Sequence, residues 1–274
     1  MRVLLLLAAT AALAGAQDAR ELVRQAVKRI DHNLEVARNY TFLERVETHE
    51  LNGDGQIKDR KIRQYDVTLL EGSPYRRLVG KDDHPLSPDE VRKEQKKLED
   101  SIDERRKESP AQHDRRIADW EKRRQREREP LNEIAEAFDF RMVGEELLGD
   151  RQVWVIDANP RPGYRPRSSL AKLFPKLRGR LWIDKTDHQW IKTEGEVTGT
   201  ISFGLFLARL NKGARLNFEM TRVNEEVWLP KRIEASGSAR LALLKSYHIE
   251  SAVTYSNYRK FQAESHIVPA AAQR

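Results

Sequence analysis

Period-2 alternation, short connections and one block of unrelieved charge together predict a mainly β protein with α (α+β). The expected parts are an antiparallel sheet, a helix laid on it and a charged helical hairpin inserted in it. Segments 140–147, 152–157, 180–184, 190–199, 215–223, 227–234, 239–244 and 251–261 alternate apolar and polar residues between turn signals, the signature of half-buried strands. Most connections between them are shorter than the roughly 12 residues of a parallel crossover, so successive strands are expected to run antiparallel.

The first element predicted is a helix over 18–38, because Val23, Val27, Ile30 and Leu34 fall on one stripe and Asp18 can cap it. Tyr40, Phe42 and Val46 then alternate with polar residues, 62–70 is a second β-like run, and Asn52, Gly53, Asp54 and Gly55 supply a hairpin turn between them. That turn imitates the start of a calcium loop, but Lys61 stands where the loop needs a bidentate glutamate. Residues 88–129 carry 14 basic and 13 acidic side chains, with Val91, Leu98, Ile102, Ile117 and Trp120 as the only large apolar ones. Near-balance excludes a nucleic-acid arm and predicts two solvated helices, divided at Pro110, that project from the domain; an arm that docks an envelope protein is the alternative. The expected division is a leader at 1–16, a helix and first strands at 17–87, the insertion at 88–130, the remaining strands at 131–262 and a tail at 263–274.

Arg2, the apolar run 3–13 and the small residues Ala14, Gly15 and Ala16 read as a secretory leader cleaved after Ala16, which would leave a periplasmic protein. The run is shorter than the ~20 residues that span a bilayer. With no cysteine, the chain has no disulfide, thiolate metal site, thiol nucleophile or cleavage-site lipid anchor. The net charge of +7 is a mild bias for 274 residues. Histidines 32, 49, 84, 113, 188, 248 and 266 show no metal-ligand spacing, no phosphate-binding glycine loop is present, and Thr200 occupies the first glycine position of a nucleophile elbow around Ser202. The expectation is a protein that is not an enzyme, with no cofactor and no metal.

The leading candidate for a binding element is 161–180. Arg161, Arg165, Arg167, Lys172, Lys176, Arg178 and Arg180 lie in it without an acidic residue, and Leu170, Leu173, Phe174 and Leu177 have helical spacing that Pro175 must bend. It reads as a loop whose leucines plug the sheet, or as a lid and a contact for a protein partner or an anionic membrane surface. In 201–210, Phe203, Leu205, Phe206, Leu207 and Leu210 do not alternate, which predicts a short buried helix ending at Gly213, or alternatively a cavity entrance. Trp154, Trp182, Trp190 and Trp228 lie in predicted strands, as core residues unless a cavity makes them ligand contacts.

Three patterns carry a resemblance: Val143-Gly144-Glu145 through Gly149-Asp150-Arg151 to Val155; Gly179-Arg180-Leu181-Trp182-Ile183-Asp184 with Asp187 and Ile191; and Val227-Trp228-Leu229-Pro230 with Ile233. Together with the leader they resemble the periplasmic lipoprotein-carrier superfamily, the LolA/LolB-like and outer-membrane lipoprotein-sorting-like proteins, over 18–87 and 131–262. The resemblance implies a curved antiparallel half-barrel sheet with a helical lid, around an apolar cavity for a hydrophobic ligand such as a lipid or a lipoprotein acyl chain. On that reading Leu170, Leu173, Phe174, Leu177, Trp182, Phe203 and Phe206 are the expected ligand contacts. The alternative is a non-catalytic structural or interaction module of the cell envelope with a packed sheet core.

Overall fold

The computed structural model describes residues 2–203, 208–241 and 245–261, with side chains over 18–202, 210–238 and 248–261. Helix α1 (Arg2–Val36) runs through a 3-10 turn into β1 (Tyr40–Leu51), β2 (Ile57–Leu70), β3 (Ser73–Lys81) and β4 (His84–Pro85). Helices α2 (Pro88–Arg106), α3 (Pro110–Arg128) and α4 (Ile134–Ala137) follow. Then come β5 (Phe138–Leu148), β6 (Arg151–Pro160), β7 (Leu177–Asp184), β8 (Trp190–Val197), β9 (Ile201–Phe203), β10 (Ala208–Leu210), β11 (Arg215–Val223), β12 (Val227–Leu241) and β13 (Lys245–Lys260).

One antiparallel sheet has the order β4-β3-β2-β1-β13-β12-β11-β8-β7-β6-β5, with β9 and β10 attached beside β12. β4 and β5 end the order without pairing to each other, so the sheet is an open half-barrel. Register shifts in β1, β2, β5, β7 and β11 bend it. The first and last strands meet in the middle, Tyr40 opposite Lys260 and Leu51 opposite His248.

The core lies where α1 crosses the inner face at β5–β8. Ala19, Val23, Ala26 and Val27 bury against Phe138, Phe140, Ile156, Ala158, Leu181 and Ile183. At its C-terminal end α1 is fixed by polar groups: Asn33 donates to Gln189 Oε1 at 2.7 Å and accepts from the Trp228 N–H at 3.2 Å, with Asn33 and Gln189 both buried. On the opposite face Val153, Val155, Trp182, Ile191 and Trp228 form a second cluster, and the rest of that face is laced with pairs such as Arg180–Asp157 and Arg178–Glu196.

Three expectations change. β3 is an additional strand, and β12 runs unbroken to Leu241 where a separate strand over 239–244 was expected. In place of a short helix at 201–210, β9 and β10 pair antiparallel, Phe203 opposite Ala208, while Phe206 lies outside the described residues. Three-residue strands are too short to show a period. The hairpin turn uses Asn52 Oδ1 to accept the Asp54 and Gln56 N–H groups, so that oxygen serves the turn.

The arm also departs from the expected projection into solvent. Ser87 and Ser109 close capping boxes with Pro88 and Pro110 in the first turns, so Pro110 starts α3 as a predicted divider should. Neither helix has a fully buried residue, yet both are tied down by their charges. Arg105 donates to the Leu70 and Ser73 carbonyls, Arg116 to the Glu71 carbonyl at 3.0 Å and Ser73 Oγ at 2.8 Å, and Arg38 of the α1–β1 turn to Glu121 at 2.6 Å. The reason is topological: this insertion is the chain that joins β4 to β5, the two rims of the half-barrel.

Candidate functional site

The sheet alternation that buries one side of β5–β8 under α1 leaves the same face uncovered by α1 farther along. Strand neighbours in register share a face, so Ile156, Leu181, Thr193, Phe218, Ile233, Val253 and Val46 form one row across it. The next row is Ala158, Gly179, Gly195, Leu216, Ala235, Ser251 and Thr48, small except for Leu216, which is 46% exposed. A Cβ on Gly179 would come within 2.9 Å of the Glu194 carbonyl, so the tight approach of β7 and β8 needs glycine there.

Between this inner face, the end of α1 and the flank of α3 lies an apolar cavity of about 350 Å³. Its floor is Phe42 from β1, Val67 and Leu69 from β2, Leu229 and Pro230 from β12, and Tyr255 and Tyr258 from β13. Leu34 and Ala37 close one side and Trp120 with Arg124 of α3 the other. Phe42 meets Tyr255 and Tyr258 with ring centroids 5.5 and 5.6 Å apart. The phenols of Tyr258 and Tyr255 are pushed up by burial, Tyr258 donating to the Pro230 carbonyl, so both stay neutral.

Charge in the lining comes from α3, through Arg124 and Glu127, and from Arg38 of the α1–β1 turn. Trp120 is flanked by two guanidinium groups, Arg124 at 5.2 Å and Arg38 at 5.7 Å from its ring. Arg124 donates through Nη2 to the Leu34 carbonyl at 2.6 Å, while its Nη1 is buried and makes no hydrogen bond. Arg128 pairs with Glu35, and that bond is the main cause holding the Glu35 carboxyl below its usual range.

The loop over 161–176 is fastened from below by Glu133, which is 3% exposed. Its carboxylate accepts Tyr164 Oη at 2.6 Å, the Arg167 N–H at 2.8 Å and the Ser168 N–H at 2.9 Å. Burial pushes this carboxyl up, and the three donors outweigh it and hold it at about 2.

The residues expected from sequence to form a ligand site are scattered by the fold. Phe174 meets Phe138 at a tilt, ring centroids 5.3 Å apart, against the α1 core; Leu177 touches that core and joins Leu173 beside Val197 and Ile201, and Leu170 is exposed near Arg123 and Arg126. Trp182 is buried on the opposite face, its indole donating to Glu146. Phe203 sits in β9 at the backbone level described. Of the basic set, Arg161 bonds Asp139 at 2.9 Å, Arg167 bonds Glu136 at 2.7 Å, Arg178 bonds Glu196 at 2.7 Å, and Lys176 caps the Thr200 carbonyl; Arg165 and Lys172 are exposed. Among those whose side chains are described, none lines the apolar cavity. Its sequence signals were the Tyr40-Phe42 and Val67-Leu69 alternations and Trp120, the lone aromatic in the charged arm. Among the described residues no cluster of acidic and histidine side chains is arranged to hold a metal ion.

No protein-family profile and no curated protein sequence matches the chain. Similar chain paths occur in solved structures. One is described as an outer membrane lipoprotein-sorting protein domain from Vibrio parahaemolyticus, 10% identical over 89% of this chain and 95% of that one, with a TM-score of 0.35. A LolA superfamily protein from Nitrosomonas europaea is 11% identical over 89% and 93% of the two chains, with a TM-score of 0.32. A DUF1329 family protein from Desulfovibrio piger is also 11% identical, over 90% and 93%, with a TM-score of 0.32.

Proposed function

We propose that this is a non-catalytic envelope protein that holds a hydrophobic ligand, an acyl chain or lipid, between the inner face of its half-barrel and α3, as a carrier or sensor. The observation that supports this reading is the cavity itself: about 350 Å³, floored by aromatic and aliphatic side chains and walled by two helices. Its volume falls at the small end of the roughly 300–1,000 Å³ of small-molecule sites. The leader-like start, Arg2 followed by the apolar run 3–13, supports a periplasmic location, and no helix among the described residues is long and apolar enough to cross a membrane.

The test is solvent extraction of the purified protein with mass spectrometry of the extract, followed by titration of the delipidated protein with a fluorescent acyl-chain probe. A stoichiometric amphiphile in the extract, or saturable probe binding that Leu69→Trp abolishes, is the expected result. An empty extract and no saturable binding would leave the packed structural module as the better reading.

A further inference from the structure

We infer that the ligand is a single-chain amphiphile with an anionic head, carboxylate or phosphate, and that the head sits on the guanidinium of Arg124. This rests on the cavity being the ligand site, and it adds the chemistry of the head. Arg124 lines the apolar cavity, and its Nη1 is buried without a hydrogen-bond acceptor, although Nη2 of the same group reaches the Leu34 carbonyl at 2.6 Å. Glu121 forms an ion pair with Arg124, its Oε2 standing 3.6 Å from Nη1, which is beyond hydrogen-bond reach, while its Oε1 serves Arg38 at 2.6 Å. Glu35 is likewise engaged, by Arg128 and Arg38. Glu127 borders the cavity but is exposed and makes no described bond to these arginines.

A buried guanidinium N–H without an acceptor is costly, and a planar fork is suited to two oxygens of one anion. Burial first, then the positive charge of Arg128, hold the Arg124 guanidinium below its ordinary value, so an incoming anion relieves an existing strain on that charge. The apolar floor beginning at Tyr258 and Phe42 then takes the chain. A cavity of about 350 Å³ favours one chain over several.

The experiment is calorimetric titration of the delipidated full-length protein with dodecanoate, dodecyl phosphate and dodecan-1-ol, each below its micellar concentration, and with acetate and inorganic phosphate alone. Both anionic amphiphiles should bind at least tenfold more tightly than the alcohol, about 1.4 kcal/mol, and the chainless anions should not bind at millimolar concentration. Arg124→Met should bring the anions down to the level of the alcohol, and Glu127→Gln should tighten them. If all three amphiphiles bind the wild type equally, the head-group assignment fails while the cavity reading stands; if none binds, both fail. Anion preference that survives in a folded Arg124→Met variant would place the head elsewhere and overturn the assignment. If that variant does not fold, the wild-type series alone decides, and acetate or phosphate binding as tightly as the amphiphiles would refute the amphiphile.

Discussion

Replacing Glu133 by glutamine removes the acceptor on which the 161–176 loop depends. The buried carboxylate takes three donors, Tyr164 Oη, Arg167 N and Ser168 N, at 2.6, 2.8 and 2.9 Å. A glutamine keeps one oxygen and turns an NH2 toward donors that then have no acceptor. The size of the loss follows from the titration: a carboxyl held at about 2 instead of 4.5 represents on the order of 3 kcal/mol of preferential stabilisation of the charged form in the folded state. Because the folded value is depressed, this stability is fully present above about pH 5 and disappears as pH falls through the range from 4.5 towards 2. At neutral pH Glu133→Gln should therefore lower Tm by roughly 6–12 °C for a domain of this size. The decisive measurement is the difference in unfolding free energy between wild type and variant from pH 7 to pH 2.5. Taking the difference removes the parallel contribution of Glu47, another carboxyl held at about 2, by Arg45 and then Arg60. The difference should shrink as the wild-type carboxyl protonates, since a neutral Glu133 resembles glutamine. A variant that melts within about 1 °C of wild type at pH 7, or a difference that stays constant with pH, would refute this account of the latch.

Asn33→Leu should cost about 2 kcal/mol by leaving Gln189 Oε1 and the Trp228 N–H without the Asn33 partner, read as a shift in urea midpoint without change in slope. Leu69→Trp should fill the cavity, weakening an acyl probe at least tenfold while Tm holds or rises; unchanged binding would move the ligand elsewhere. Arg116→Ala removes the bonds to Glu108 and Ser73 and should speed limited proteolysis near residue 108 several-fold at nearly constant global Tm, and equal cleavage rates would show that the arm is held by other contacts. Exchanging 88–129 for a flexible linker of about 20 residues should leave cooperative unfolding intact, because closure entropy grows slowly with loop length, but should abolish probe binding with the loss of the α3 wall. Binding that persists there would exclude Trp120 and Arg124 from the site.

Much of the scaffold could be read from local patterns. The Val23 and Val27 stripe and the alternation in 152–157 and 180–184 are each a short-range signal, and they are the residues that meet in the α1 core. β3 shows no clear alternation because Arg76 and Arg77 interrupt it; in the sheet Arg77 pairs with Asp66 on the adjacent β2 and Arg76 reaches across to Glu44 on β1. Trp182 could be placed on a strand but not on a face, since a period of two does not say which face is inner. The cavity was out of reach for a stronger reason. Phe42, Val67 and Tyr255 become neighbours only through cross-strand register over more than 200 residues of chain, and Trp120 joins them only because its helix links the two rims.

The link from β4 to β5 has a mechanical meaning. One rim ends at Pro85, which offers no N–H to an incoming strand, and the other at β5; most of the chain between the two rims is two 19-residue helices, each about 28 Å long, joined at Lys107–Ser109 and followed by a 3-10 turn and α4. Both helices are held beside their junction to the β2–β3 turn, Arg105 on the Ser73 carbonyl and Arg116 on the Glu71 carbonyl, so the strap is anchored in its middle as well as at its two ends. A change in the span between the rims would therefore have to be taken up on the α3 side, which is the side that walls the cavity.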